Sequence, residues 1–333
     1  MKKLIIHLIL SICFVSIVNA QKDTAFENSI SKYTKAIEIN PQDAKAYFRR
    51  GVKYDWNGYY EKAIIDYTKL IEINPQFAEA YKLRGVDYAI IGLYDEAIAD
   101  LTKYLDFNLK DEEWESFAYI NRGLAFDNKG LYDKAIADYT KAIELKPQDG
   151  DYYYNRGIAY KNKNLLLNAI SDFTKAIEIN PGDADAYSMR GKIYGNNDLY
   201  EKSIADFTNV ININPKDAQA YFYRGSDYLF LKIYDKSISD LSKAIELNPK
   251  SAQSYCYRGM AYDAKGLFDN AITDFTKAIE INPQDAGYYY FRGLIYNGMT
   301  LKDKAKLDFK KAGELYEKEG NTEEAINAFK LAE

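Results

Sequence analysis

The chain predicts an all-α fold in which helical hairpins stack side by side as a solenoid, and three observations carry that reading. Arg-Gly dipeptides recur at Arg50-Gly51, Arg84-Gly85, Arg122-Gly123, Arg156-Gly157, Arg190-Gly191, Arg224-Gly225, Arg258-Gly259 and Arg292-Gly293, stepping 34 residues each time save one step of 38. A fixed period in this range marks supersecondary units that cannot bury their apolar face alone and must stack. Within the copy at 252–285, Tyr255, Gly259 and Tyr262 fall at i, i+4 and i+7, one stripe of a helix, and Ala271, Phe275 and Ala278 repeat the spacing after a turn at Gly266. All seven prolines (Pro41, Pro75, Pro147, Pro181, Pro215, Pro249 and Pro283) occupy one place in the copy, where the second helix has to stop. Small Gly259 facing small Ala271 would let the two helices of a hairpin approach closely.

Taken in order, the chain opens with a different kind of sequence. Lys2 and Lys3 precede an apolar run from Leu4 to Val18, and Val18-Asn19-Ala20 supplies small residues ahead of Gln21. That is the layout of a cleaved secretory signal over residues 1–20, which predicts a secreted or periplasmic protein. The run is short for a membrane span. An uncleaved anchor, or a lipoprotein read through Leu10-Ser11-Ile12-Cys13, is the weaker reading. Residues 21–43 hold only the second half of a copy, with Ser29, Tyr33, Ala36 and Pro41 in the places of Ala271, Phe275, Ala278 and Pro283. A single helix is expected there, lying on the next hairpin as a lid.

Eight full copies fill 44–319: 44–77, 78–111, 116–149, 150–183, 184–217, 218–251, 252–285 and 286–319. Asp43, Asp149, Asp183, Asp217, Ser251 and Asp285 stand at the expected N-caps of first helices. The second copy has Leu109 where proline belongs and is followed by four extra residues, Glu112-Glu113-Trp114-Glu115. Four residues are close to one turn, so the third copy's first helix is expected to start early, capped by Asp111. Trp114 is expected to pack on its neighbour, with a ligand contact as the sharper option. At the C-terminus, Gly313, Tyr316, Gly320, Ala325, Phe329 and Ala332 repeat the Gly-Tyr-Gly-Ala-Phe-Ala spacing. The helix that closes the eighth hairpin therefore opens a shortened ninth, and 320–333 ends the array as a capping helix with a polar outer face.

This skeleton resembles the tetratricopeptide repeat, whose pattern runs aromatic-x2-Leu-Gly-x2-Tyr, then Ala, an aromatic and Pro. Two departures recur: Tyr stands for the usual Trp, and Arg for the Leu before Gly. The resemblance implies an α-α superhelix whose first helices line a concave groove holding an extended peptide or a partner's helix. Mapped onto this chain, that groove takes Phe48 and Trp56, Lys82, Phe117 and Ile120, Tyr154, Lys192, Phe222 and Phe230, and Tyr290, with about half of the groove positions expected to pack along the floor. One subgroup of the family clamps a partner's C-terminal carboxylate with a Lys and two Asn. Lys82 fits that clamp, but Val86 stands where its Asn belongs, and the clamp is rejected. Cys256, at a position that varies among the copies, reads as a harmless residue freed from packing.

A second recurrence is carried by charge. Asp66, Asp100, Asp138, Asp172, Asp206, Asp240, Asp274 and Asp308 each follow their marker Arg50, Arg84, Arg122, Arg156, Arg190, Arg224, Arg258 and Arg292 by sixteen residues. The partial first copy has no Arg and carries Lys32 at the Asp place. Covariation of this kind predicts an Arg–Asp pair inside each hairpin. Solvated, such pairs are worth about 0–1 kcal/mol; half-buried, losing one partner costs about 3–5 kcal/mol.

Chemistry, by contrast, finds no foothold. The only histidine is His7, inside the leader, and of two cysteines Cys13 lies there too, leaving Cys256 alone. That removes His-dependent triads, zinc sites built on His or Cys, and internal disulfides. No phosphate-binding Gly-x4-Gly-Lys-[Ser/Thr] loop occurs, no cofactor is implied, and the abundant acids are accounted for as caps, Arg partners and solvated faces. Losing Lys2 and Lys3 with no acid moves the net charge from −5 to −7, and no basic stripe suggests nucleic acid. The expected function is a non-catalytic extracytoplasmic scaffold binding protein or peptide. A carbohydrate or cell-wall binder using Tyr and Trp faces is the alternative.

Overall fold

The computed structural model describes residues 24–333, so the leader read over residues 1–20 lies outside the described residues. The chain divides into two units, Met1–Ala169 and Ile170–Glu333. The first holds α1 (24–39), α2 (Ala44–Trp56), α3 (Tyr60–Ile73), α4 (Ala78–Ile90), α5 (Tyr94–Asp106), α6 (Glu112–Asn128), α7 (Tyr132–Leu145) and α8 (Gly150–Asn162). The unit boundary falls inside α9 (Leu166–Ile179). The second holds α10 (Ala184–Gly195), α11 (Tyr200–Ile213), α12 (Ala218–Phe230), α13 (Tyr234–Leu247), α14 (Ala252–Ala264), α15 (Phe268–Ile281), α16 (Ala286–Gly298), α17 (Lys302–Glu319) and α18 (Thr322–Ala332). Among the described residues there is no strand. In each unit a helix packs on its chain neighbours, pairing first with second inside a hairpin and second with first between hairpins.

Local chemistry explains where helices start and stop. Asp43, Asp149, Asp183, Asp217, Ser251 and Asp285 each accept a backbone N–H of the first turn, using an otherwise orphaned donor. Asp111 caps α6 in the same way, accepting from Glu113 and Trp114, and α6 runs 17 residues against 13 for its counterpart α4. The early start predicted from the four extra residues is therefore present. Between the helices of a hairpin the chain turns through the left-handed region, at Gly58, Gly92, Gly130 and Gly266 and, in other copies, at Asn164, Asp198, Lys232 and Thr300. Glycine enters that conformation without cost and Asn164 and Asp198 tolerate it, whereas Lys232 and Thr300 take it at a steric cost.

Hairpin packing differs in one detail from the expectation of Gly against Ala. A Cβ on Gly259 would meet the ring of Phe275 at 3.1 Å, and one on Gly123 would meet Tyr139 at 2.6 Å. The helical glycine seats the large side chain four residues beyond the Ala, while Ala271 is buried beside it. The same fit recurs for Gly51 with Tyr67, Gly191 with Phe207, Gly293 with Phe309 and, closing the array, Gly313 with Phe329. Tyr67, Tyr139, Phe207, Phe275 and Phe309 are almost wholly buried and form the centre of their hairpins, as Leu101 and Leu241 do of theirs. The outer face of α18 is not purely polar as expected: Ile326 and Leu331 are exposed between its acids and lysine.

The Arg and Asp of a copy meet in a planar two-point pair. In Arg50–Asp66, Arg84–Asp100, Arg122–Asp138, Arg190–Asp206, Arg224–Asp240, Arg258–Asp274 and Arg292–Asp308, Nε and Nη2 donate to the two carboxylate oxygens at 2.6–2.9 Å. Arg156 belongs to the first unit and Asp172 to the second, where it is buried. Each Nη1 has a further acceptor that the sequence reading missed, a hydroxyl on the preceding copy's second helix. These are Thr34, Thr68, Thr102, Thr140, Thr174, Thr208, Ser242 and Thr276, at 2.8–3.1 Å. One guanidinium thus ties its own hairpin shut and fastens it to the hairpin before. Tyrosines one turn to either side flank it, as Tyr187 and Tyr194 flank Arg190 at 5.7 and 5.9 Å. The pairing pushes the Arg50 guanidinium above its ordinary pKa, chiefly through the hydrogen bonds to Asp66.

Candidate protein-binding face

First helices carry the candidate face at positions four residues apart, so that Phe48, Val52 and Trp56 line one side of α2. Depth separates these positions sharply. The last place in each helix stands open: Trp56 is 76% exposed, Ile90 on α4 53% and Phe230 on α12 50%. The first place is half-buried at Phe48, Tyr154, Phe222 and Tyr290; Phe117, three residues before that place on α6, and Lys192, at the second place on α10, are half-buried as well. Their rings touch neighbours: Phe48 meets Phe77 edge-on at 5.2 Å, Phe117 meets Trp114 at 5.9 Å, and Tyr290 meets Phe309 at 5.8 Å. Those contacts fix the rings as the floor of the face.

Two of the expected groove residues leave the set. Lys82 is only 2% exposed, and its ammonium lies 3.3 Å from the centre of the Trp114 ring, with Glu79 at 3.8 Å. Burial under that indole lowers the Lys82 pKa, the acids Glu79 and Asp111 opposing. The ring delivered by the α6 extension thus closes over the residue that would have faced a ligand. Ile120 is buried in the cluster of Tyr139, Ile143 and Tyr152. Cys256 also departs from expectation: it is buried beside Phe275 and Tyr288, so the position is packed rather than free. Burial pushes its thiol up to about 12, far from the thiolate that reactivity needs.

In the second unit the open place is braced by aromatic stacking. Phe230 stacks on Tyr200 at 5.2 Å and meets Tyr257 edge-on at 6.4 Å, and Tyr257 meets Phe222 at 5.2 Å. Lys192 lies over Tyr223 at 5.0 Å. In the first unit Lys53 lies over Trp56 at 5.4 Å. Rings held by their neighbours lose little freedom when a partner covers them, which is what makes aromatic anchors effective at interfaces.

Beneath the face sits a buried polar group that periodicity alone did not mark. Asp87 on α4 is 1% exposed, and neither of its oxygens receives a hydrogen bond from a donor of the described residues. Its side chain meets that of Asp55 on α2, and the Tyr67 hydroxyl is buried within the field of both. Burial, then the Asp55 charge, push the Asp87 carboxyl up to about 8. Among the described residues no group of His, Cys, Asp and Glu is arranged to hold a metal ion.

Stacked helical hairpins recurring every 34 residues, with one step of 38, each presenting one side of its first helix, define an all-α repeat protein with an open interaction face. Family models described as tetratricopeptide repeat match residues 44–77, 116–149, 150–183, 173–205, 218–251 and 252–285. The chain belongs to the tetratricopeptide repeat family. Among solved structures, it is similar to a tetratricopeptide repeat protein from Parabacteroides merdae, at 23% identity over 77% of this chain and 98% of that one, with a TM-score of 0.54. Similarity to pilF of Pseudomonas aeruginosa covers 65% of this chain and 97% of that one, at 16% identity and a TM-score of 0.53. MamA is 30% identical over 50% of this chain and 96% of its own, with a TM-score of 0.48. A search of curated proteins finds no match.

Proposed function

We propose that this protein is a non-catalytic scaffold that binds a partner protein, as an extended peptide or a helix, along the side of its first helices. The observation that carries the reading is the set of three open large apolar side chains at one place in the copy, neighbouring copies' Trp56 and Ile90 in the first unit and Phe230, stacked on Tyr200, in the second. Apolar groups left open in register are costly in water and useful only when covered. Membership of the tetratricopeptide repeat family supports the same class of function, since its repeats serve as interaction scaffolds. The leader-like residues 1–20 support a secreted or periplasmic setting. Among the described residues no helix is long and apolar enough to cross a membrane.

The test is photo-crosslinking from position 56 or 230 in the whole chain, with identification of what is captured in the extracytoplasmic fraction. Trp56→Ala and Phe230→Ala leave buried contacts alone and are expected to abolish capture. Titration with glycans and cell-wall fragments, followed by Trp fluorescence, separates the carbohydrate reading. Saturable quenching there, with no protein captured, would move the assignment to sugars.

A further inference from the structure

Arginine is held inside the hairpins by three kinds of group: a buried carboxylate, a hydroxyl from a neighbouring helix, and flanking rings. Arg190 shows them as Asp206, Thr174, Tyr187 and Tyr194. In the second unit the same kinds of group meet again between α10, α11 and α12, on the side of the first helices. Asp227 on α12 stands where other copies have Ala125, Ala159 and Ala261, and Ser203 on α11 stands where they have Ala135, Ala169 and Ala271. Asp227 is 5% exposed and Ser203 wholly buried, and neither Asp227 Oδ2 nor Ser203 Oγ has a hydrogen-bond partner among the described residues. Alanines pack there without needing a partner; a carboxylate and a hydroxyl do not.

Gly195 on α10 bares these atoms to the face. It is half-exposed and adjoins Asn196, which occupies in α10 the open place that Phe230 occupies in α12. A Cβ on Gly195 would stand 3.2 Å from both Asp227 Oδ1 and Ser203 Oγ. In the first unit the counterpart of Gly195 is Asp55, whose side chain reaches Asp87, the counterpart of Asp227. A group entering over this place therefore touches the carboxylate. One turn away on the same two helices, Phe230 stacks on Tyr200 at 5.2 Å, while Lys192 of α10 is turned onto the Tyr223 ring at 5.0 Å. Burial raises the Asp227 carboxyl to about 6, Ser203 opposing, which leaves it charged at neutral pH. A buried anion short of donors calls for a cation, and a guanidinium brings parallel N–H donors for the oxygens and a flat face for the rings.

We propose that Asp227, Ser203 and the bare backbone of Gly195 form a subsite for an arginine side chain of the partner, its guanidinium lying against Phe230. The proposal rests on the reading of the first-helix side as the partner-binding face. The probe is N-acetyl-arginine amide, titrated against the whole chain and followed by NMR at the Gly195 and Asp227 amides, with uncharged N-acetyl-citrulline amide as control. Saturable shifts are expected with the arginine probe, and binding of citrulline at least about tenfold weaker. Asp227→Ala is expected to weaken the arginine probe by at least about tenfold, while its midpoint of chemical denaturation stays level or rises, because alanine already fills that place in other copies. A fall in the midpoint would make Asp227 and Ser203 an internal structural pair and overturn the proposal. Absence of saturation, equal binding of the two probes, or undiminished binding by Asp227→Ala would do the same. Crosslinked capture from position 230 that persists while the arginine probe fails overturns the subsite alone and leaves the scaffold reading in place.

Discussion

At the level of single residues, the fork of Arg190 shows how stability and register are held together. Its Nε and Nη2 bond Asp206 at 2.9 and 2.7 Å, its Nη1 bonds Thr174 at 2.8 Å, and its partner carboxylate is 3% exposed. Arg190→Leu leaves that carboxylate buried and unpaired, and is expected to cost about 3–5 kcal/mol by chemical denaturation. Adding Asp206→Leu is expected to recover most of the loss, because the cost lies in the stranded charge; a neutral single variant would reduce the pair to decoration. The Asp55–Asp87 contact acts in the opposite sense. Asp87 is raised from an ordinary carboxylate value to about 8 by burial and by Asp55, with the Tyr67 phenol the other titratable group in their field. Unfolded, it loses its proton near pH 4; folded, it keeps that proton until about pH 8. The stability of the α2–α4 region is therefore full below about pH 4 and erodes as pH rises to about 8, by up to about 1.4 kcal/mol per pH unit. Asp87→Asn keeps the shape and donates to Asp55, so its amide protection factors, read by hydrogen exchange at pH 5 and pH 8, are expected to stay level where those of the wild type fall.

Among the first helices, α6 is the one extended beyond the repeat, and its extra turn has a task. Capped by Asp111, it brings Trp114 over Lys82 and covers a position that would otherwise open onto the binding face. Trp114→Ala is expected to cost about 2 kcal/mol, the order of a desolvated cation–π contact, and to raise exchange in α4 and α6 while α2 and α3 stay protected. Unchanged protection in α4 would mean that the indole is an ornament. Helix boundaries, the early start of α6 and the overlap in α17 were legible in the sequence because each depends on residues within a turn or two of one another. The Arg–Asp pair was legible as well, since both members recur at a fixed offset. The hydroxyl that completes the fork was not, because Thr is unremarkable on a helix surface and its Arg comes from the following copy. Nor was the depth of the face: Lys82 reads as solvated until Trp114, far along the chain, is placed over it, and Cys256 reads as free until Tyr288 of the next copy packs against it.

At the scale of the whole molecule, how damage spreads follows from contacts that are local within each unit. Within each unit, helices touch the helices next to them in the chain and the nearest helix of the adjoining copy, so stability is close to a sum of local terms. A globular domain would transmit a core defect everywhere; this chain should confine it. Ala328 on α18 is wholly buried against α17, where Gly313 receives the ring of Phe329. Ala328→Asp puts a charge there without a partner, which a packed helix pair cannot solvate. Hydrogen exchange is expected to show α17 and α18 losing protection by a hundredfold or more, roughly 3 kcal/mol, while α2 to α7 keep theirs within twofold. Partner capture through Trp56 should then survive in the variant. Loss of protection along the entire chain would mean that the copies are coupled far more tightly than their contacts imply, and that the open side of the first helices is presented only by an intact array.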